Sequence, residues 1–152
     1  MKKEDFLKNI RLAKKSHILW VERAKKLVNG LPIGEDEIPL EPTSCAFGQW
    51  FYGDGQVMLA IFSQASIKKL EDKHKELHTS YLKIFKIYFD LSTQGFFSKL
   101  LKRPKKISDI DRRIAMDELD NLEKISEEMV SYLNIIDARI NQVEAEDLEK
   151  YL

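Results

Sequence analysis

His74 and His78 stand four residues apart in the stretch Lys-His-Lys-Glu-Leu-His that begins at Lys73. On a helix, four steps of about 100° bring the second imidazole back to about 40° from the first, one turn along. Two imidazoles so placed can bind one metal ion. Leu70, His74, Leu77, His78, Tyr81, Leu82 and Phe85 recur at helical spacing, so both histidines fall on an apolar stripe. A helix that turns two histidines toward its core must satisfy their ring nitrogens there. Either a metal ion or hydrogen-bonded neighbours would do so.

The chain holds one more histidine, His17, and one cysteine, Cys45. His17 lies in the apolar seam Phe6, Ile10, Ala13, His17, Trp20, Ala24, Leu27 of a helix expected over 3–29, which Asn29-Gly30 ends. Cys45 follows Thr43 and Ser44, either of which can cap a short helix. That places Cys45 in a first turn, where unpaired backbone N–H groups favour a thiolate. Gathered in one core, these four residues supply three nitrogens and one sulfur, a full tetrahedral set for Zn²⁺.

The elements that must position them are helical. Residues 30–44 read as a loop with three prolines and four acids. Phe47, Trp50, Phe51 and Tyr52 are too many aromatics for a solvated loop, so the piece they occupy presses into the core. A short helical piece follows at 56–64, then a long helix from about Ser66 to Leu91. Residues 92–107 alternate Lys and Arg with Phe and Leu around Gly95 and Pro104. They read as a basic connector covering a bundle end, with an amphipathic membrane or acidic-partner contact as the other reading. The last helix spans about 108–143, opened by Ser108 with Asp111 three residues on. Its stripe Ala115, Leu119, Leu122, Ser126, Met129, Leu133, Ile136, Ile140, Val143 suits an antiparallel bundle or a dimer seam, and the sequence does not choose. The expected fold is all-α, an antiparallel four-helix bundle with one short, broken helix, in a single domain over 1–152.

With 152 residues, 43% hydrophobic, the chain can bury a core of its own. A net charge of zero argues against nucleic acid as a partner. The charge is unevenly spread: residues 1–30 carry nine Lys/Arg against three Asp/Glu, residues 114–152 three against eleven. The first and last helices are therefore expected to be neighbours. A single cysteine excludes an internal disulfide and fits a reducing compartment. No signal peptide or membrane span is visible, and a cytoplasmic location is expected.

The blocks His17-x-x-Trp20, Cys45-x-Phe47-Gly48-x-Trp50 and His74-x-x-x-His78, in that order over about 14–82, resemble the bacterial chemoreceptor zinc-binding (CZB) domain family. The resemblance implies a helical bundle holding one zinc through His17, Cys45, His74 and His78, with Trp20, Phe47, Gly48 and Trp50 supporting the site. It implies a sensory or regulatory role in chemotaxis or cyclic-di-GMP signalling, responding to zinc or to an oxidant at Cys45. The implied partner is a chemoreceptor or cyclase. No signalling module is present in the chain, so a stand-alone member or a fragment is expected, and a homodimer stays open.

Four protein ligands would close the coordination sphere, which argues against an enzyme, since catalytic zinc keeps a position for water. Were Cys45 not a ligand, the three histidines would resemble a hydrolytic site. A metal-free interaction bundle is the remaining reading. Glu71-x-x-His74 matches half of a di-iron motif, but no second copy exists. Outside the ligands, Glu71, Asp72, Glu22 or Asp54 is expected to contact at least one histidine ring.

Overall fold

The computed structural model describes residues 2–33, 39–89 and 106–151. These residues form α1 (Lys3–Val28), α2 (Ala46–Tyr52), a 3₁₀ turn (Asp54–Val57), α3 (Met58–Ile61), α4 (Gln64–Tyr88), α5 (Asp109–Gln142) and α6 (Ala145–Glu149), with no strand among them. The fold is all-α, as expected.

Local chemistry sets the ends of the long helices. In α1 the acids Glu4 and Asp5 occupy the first turn and Lys25 and Lys26 the last, matching the helix dipole. Gly30, at φ 76°, supplies the left-handed residue just beyond its end. Ser63 caps α4 by accepting from the Ser66 N–H at 3.2 Å. Ser108 caps α5 by accepting from the Asp111 N–H at 3.0 Å and donates its hydroxyl to the Asp111 carboxylate at 2.8 Å. The acid thus binds the capping hydroxyl, whereas a capping box would send it back to the cap N–H.

Ion pairs across the interfaces give the directions. Lys14 meets Asp137 at 2.7 Å and Lys25 meets Glu123 at 2.7 Å, so α1 and α5 are antiparallel. Lys73 meets Glu128 at 2.8 Å and Lys83 meets Glu118 at 3.4 Å, so α4 and α5 are antiparallel too. The expected neighbourhood of the basic first helix and the acidic last one is therefore present. Helices α1 and α4 run the same way, with the Tyr88 hydroxyl donating to the Val28 carbonyl at 3.4 Å.

Residues 39–62 return the chain between them. Leu40 lies beside His78, and Phe62 lies beneath Arg139 near the far end of α5. This descending column is the short, broken helix of the expected bundle, divided into α2, the 3₁₀ turn and α3. The core it closes includes Phe6, Ile10, Leu70, Leu77, Phe85, Met129 and Leu133, all with 0% exposure. The α5 stripe from Ala115 to Ile140 is buried inside the chain, which takes the bundle use of the two left open by its spacing.

Helix α6 was not foreseen: its five residues are too few for a periodic signal. The basic stretch expected at 92–107 lies outside the described residues except Lys106 and Ile107, the latter packed on the core. Among the described residues, no helix is long and apolar enough to cross a membrane.

Candidate metal centre

Three columns of the bundle converge on one buried point. Helix α1 brings His17, the start of α2 brings Cys45, and α4 brings His74 and His78. Their exposures are 2%, 6%, 0% and 2%. Cys45 Sγ lies 3.2 Å from His74 Nε2, which lies 3.1 Å from His78 Nε2. One donor atom from each of the four residues falls within 4.8 Å of the others. The spacing argument for His74 and His78 thus extends to a four-residue cluster in space.

The backbone orients two of the rings. His17 Nδ1 pairs with the Ala13 carbonyl at 2.7 Å, and His78 Nδ1 with the Leu40 carbonyl at 2.9 Å. A carbonyl only accepts, so each Nδ1 carries the proton and each Nε2 keeps its lone pair. His74 Nδ1 is buried with no partner among the described residues. No carboxylate contacts these rings among the described residues, contrary to expectation. Glu71 instead receives the Tyr52 hydroxyl at 3.1 Å, Asp72 pairs with Lys68 at 3.0 Å, and Glu22 pairs with Lys25 at 3.2 Å. These acids sit on outward faces, where lysines one turn away claim them.

Cys45 is itself the cap of α2, a place the sequence had offered to Thr43 or Ser44. Its Sγ accepts from the Gly48 N–H at 3.2 Å and lies 3.3 Å from the Pro42 carbonyl. Gly48 has a steric reason: a Cβ there would stand 1.8 Å from the Pro42 oxygen. The loop before Cys45 therefore crosses α2 at a distance that only glycine allows. Phe47 stands edge-on to His74 and His17, at 4.8 and 5.6 Å between centroids, and Trp20 edge-on to His78 at 4.4 Å. Trp50 is one layer further out, packed on Phe6 and Phe47 at 5.2 and 6.0 Å.

Burial governs the protonation of the cluster. It lowers the pKa of all three histidines, that of His78 to about 4 and that of His74 further, where the neighbouring imidazoles add to the effect. Burial also raises the Cys45 thiol, with the Gly48 N–H offsetting only part. The thiolate expected from the helix end is therefore not favoured by this environment alone, because desolvation outweighs the backbone N–H groups of Gly48, Phe47 and Cys45 together. Neutral imidazole nitrogens and a thiol converge without enough protons between them to pair every lone pair. A cation accepting three nitrogens and a sulfur resolves that mismatch, so the residues fit a zinc ion.

The residues missed by sequence reading act through their backbone. Ala13 was within reach, since a helical side chain can contact the carbonyl four residues earlier. The roles of Leu40 and Pro42 depend on the path of a proline-containing loop and leave no side-chain signal.

No curated protein and no solved structure matches this chain. The family model described as the chemoreceptor zinc-binding domain matches residues 17–85, a stretch that contains all four clustered residues. Residues 17–85 are thus similar to the chemoreceptor zinc-binding domain family.

Proposed function

We propose that the chain is a zinc-binding sensory domain of bacterial signalling, holding one zinc through His17, Cys45, His74 and His78. The convergence of four buried donor atoms within 4.8 Å carries the reading. Bound there, the metal would act as a cross-link between α1, α2 and α4, coupling its occupancy to helix packing. The 3.2 Å approach of Cys45 Sγ to His74 Nε2 favours a closed four-ligand set over an open three-histidine hydrolytic one. A regulatory role without catalysis follows from that closure. The proposal takes 1–152 as one domain in the cytoplasm, signalling to a chemoreceptor or cyclase, with Cys45 as the oxidant-responsive ligand. Trp20, Phe47, Gly48 and Trp50 are its supporting shell.

Elemental analysis of protein purified without an affinity tag tests the site. We expect one zinc per chain, and its loss in the His74→Ala, His78→Ala double variant. Stoichiometric zinc retained by that variant would overturn the assignment. Cobalt substitution then separates the two zinc readings, since only a cysteine ligand gives a thiolate charge-transfer band.

A further inference from the structure

The metal centre has two kinds of cover. Rings carried by helices lie over part of it: Phe47 stands against His74, and Trp20 against His78. Cys45 and the outer edge of His78 are covered by plain backbone, the stretch 39–44. The Leu40 carbonyl accepts from His78 Nδ1 at 2.9 Å, and the Pro42 carbonyl lies 3.3 Å from Cys45 Sγ. Between these contacts and Cys45 the stretch crosses the first turn of α2, so close to Gly48 that no Cβ fits there. Cys45 is the most exposed of the four donors.

Away from the centre this strap is weakly held. Pro39, Glu41, Thr43 and Ser44 are exposed, and Leu40 and Pro42 are half-buried. The Leu40 side chain packs against the hydrophobic core. The Ser44 N–H closes a turn on the Glu41 carbonyl at 3.0 Å, and the Ser44 carbonyl accepts from the exposed Gln49 amide at 3.3 Å. Segments with few buried apolar contacts and solvent-facing backbone open locally at lower cost than the packed helices beneath them. Pro39 and Pro42 limit the conformations the strap gains on opening, which favours the closed form.

We infer that residues 39–44 are the gate of the metal centre: zinc, and reagents that attack sulfur, reach Cys45 and His78 when this strap lifts while the helices stay in place. The inference rests on the zinc reading above and adds the route by which the site exchanges with solvent. Lifting the strap breaks one carbonyl contact to His78 and one to Cys45, and leaves His17, His74 and the covering rings where they are. A gate acts on rates. It speeds entry and exit by one factor, so their ratio, the dissociation constant, does not move. A strap that merely held His78 in place would change the dissociation constant through release.

The test uses the full chain. Zinc uptake is followed by Trp emission after rapid mixing, and zinc release by transfer to excess chelator, in Leu40→Ala, Pro39→Gly and Ile84→Ala. The third variant truncates a fully buried residue of α4 outside the strap and reports what lost stability alone does. We expect Leu40→Ala to speed uptake and release alike by about 10-fold, the order set by losing part of a leucine's burial. Pro39→Gly, a surface change that leaves the core intact, is expected to speed both about 2- to 5-fold by freeing the open strap. In the chelated chain, alkylation of Cys45 by iodoacetamide rises by the same factors. Rates in the strap variants no faster than in Ile84→Ala overturn the inference and leave the zinc site standing. Faster release with unchanged uptake overturns it too, since the strap would then hold His78 rather than gate the centre. A chain that takes up no zinc overturns the zinc reading and this inference with it.

Discussion

Cys45 shows what a single residue must reconcile. It caps α2, it lies against His74, and burial raises its thiol pKa. A protonated, buried thiol is a poor nucleophile, so reactivity here depends on whatever holds the sulfur as thiolate. Zinc would do that while also withdrawing nucleophilicity. Under the oxidant reading, hypochlorous acid is expected to modify Cys45 in the zinc-loaded protein before the methionines, with a concurrent change in Trp20 and Trp50 emission. Mass spectrometry with fluorescence checks this, and methionine oxidation with Cys45 intact would leave zinc level as the better candidate signal. Gly48 gives a prediction that does not depend on metal. A methyl group 1.8 Å from the Pro42 oxygen cannot be relieved by side-chain rotation, because both atoms belong to backbone-fixed positions. The loop must lift, and the Gly48 N–H bond to Cys45 goes with it. We expect Gly48→Ala to cost about 3 kcal/mol or more, a loss typical of severe packing strain. That is a fall in Tm of about 6–12 °C for a domain of this size. A Tm within 2 °C of the unsubstituted protein would contradict the close crossing.

At the scale of elements, the long helices were legible because each carries several turns of one signal. The His17 seam, the His74–His78 stripe and the α5 stripe are buried as their spacing indicates, except for Leu82 and Val143, which are half-buried. The short pieces were legible only as a place. Of the four aromatics that announced burial, Phe47 and Phe51 are buried, Trp50 is half-buried and Tyr52 is exposed, and capping by Cys45, the 3₁₀ turn and α6 are decided by contacts with other elements. The same limit applies to the centre: side-chain donors could be counted in the sequence, whereas the carbonyls of Leu40 and Pro42 could not. The helix interfaces also differ in kind. Ser80, 2% exposed, donates to the Glu118 carboxylate at 2.7 Å, a polar contact inside the α4–α5 seam. Lys25 and Glu123 pair across α1 and α5 with side chains 39% and 34% exposed. Water screens the second pair far more than the first. Double-mutant cycles read by urea denaturation are expected to give about 1 kcal/mol for Ser80–Glu118. For Lys25–Glu123 about 0.5 kcal/mol or less is expected. The reverse order would show that the Ser80 hydroxyl finds an equal partner in the Glu118 carbonyl, which lies 3.4 Å away.

On the scale of the whole molecule, three buried imidazoles make folding sensitive to acid in a defined direction. The folded chain holds His17, His74 and His78 neutral, His78 with a pKa near 4 and His74 lower. In the unfolded chain each returns to about 6.5. As pH falls below 6.5 the unfolded state takes up protons that the folded state refuses, so stability falls with falling pH. The contribution is fully present above pH 6.5 and is lost as pH drops through about 4 for His78 and further for His74. Asp137 and Glu118 act in the same direction at lower pH, since Lys14 and Arg11 hold the first carboxyl below its ordinary range and Ser80, Asn121 and Lys83 the second. Zinc would steepen the profile, because protons and metal compete for the same nitrogens. The chelated chain isolates the histidine effect. Its urea midpoint is expected to be flat from pH 8 to 7 and to decline steadily from pH 6.5 to 4. If the decline began only near pH 4.5, carboxylates alone would explain it, and the three rings would not be buried as neutral bases in the metal-free chain.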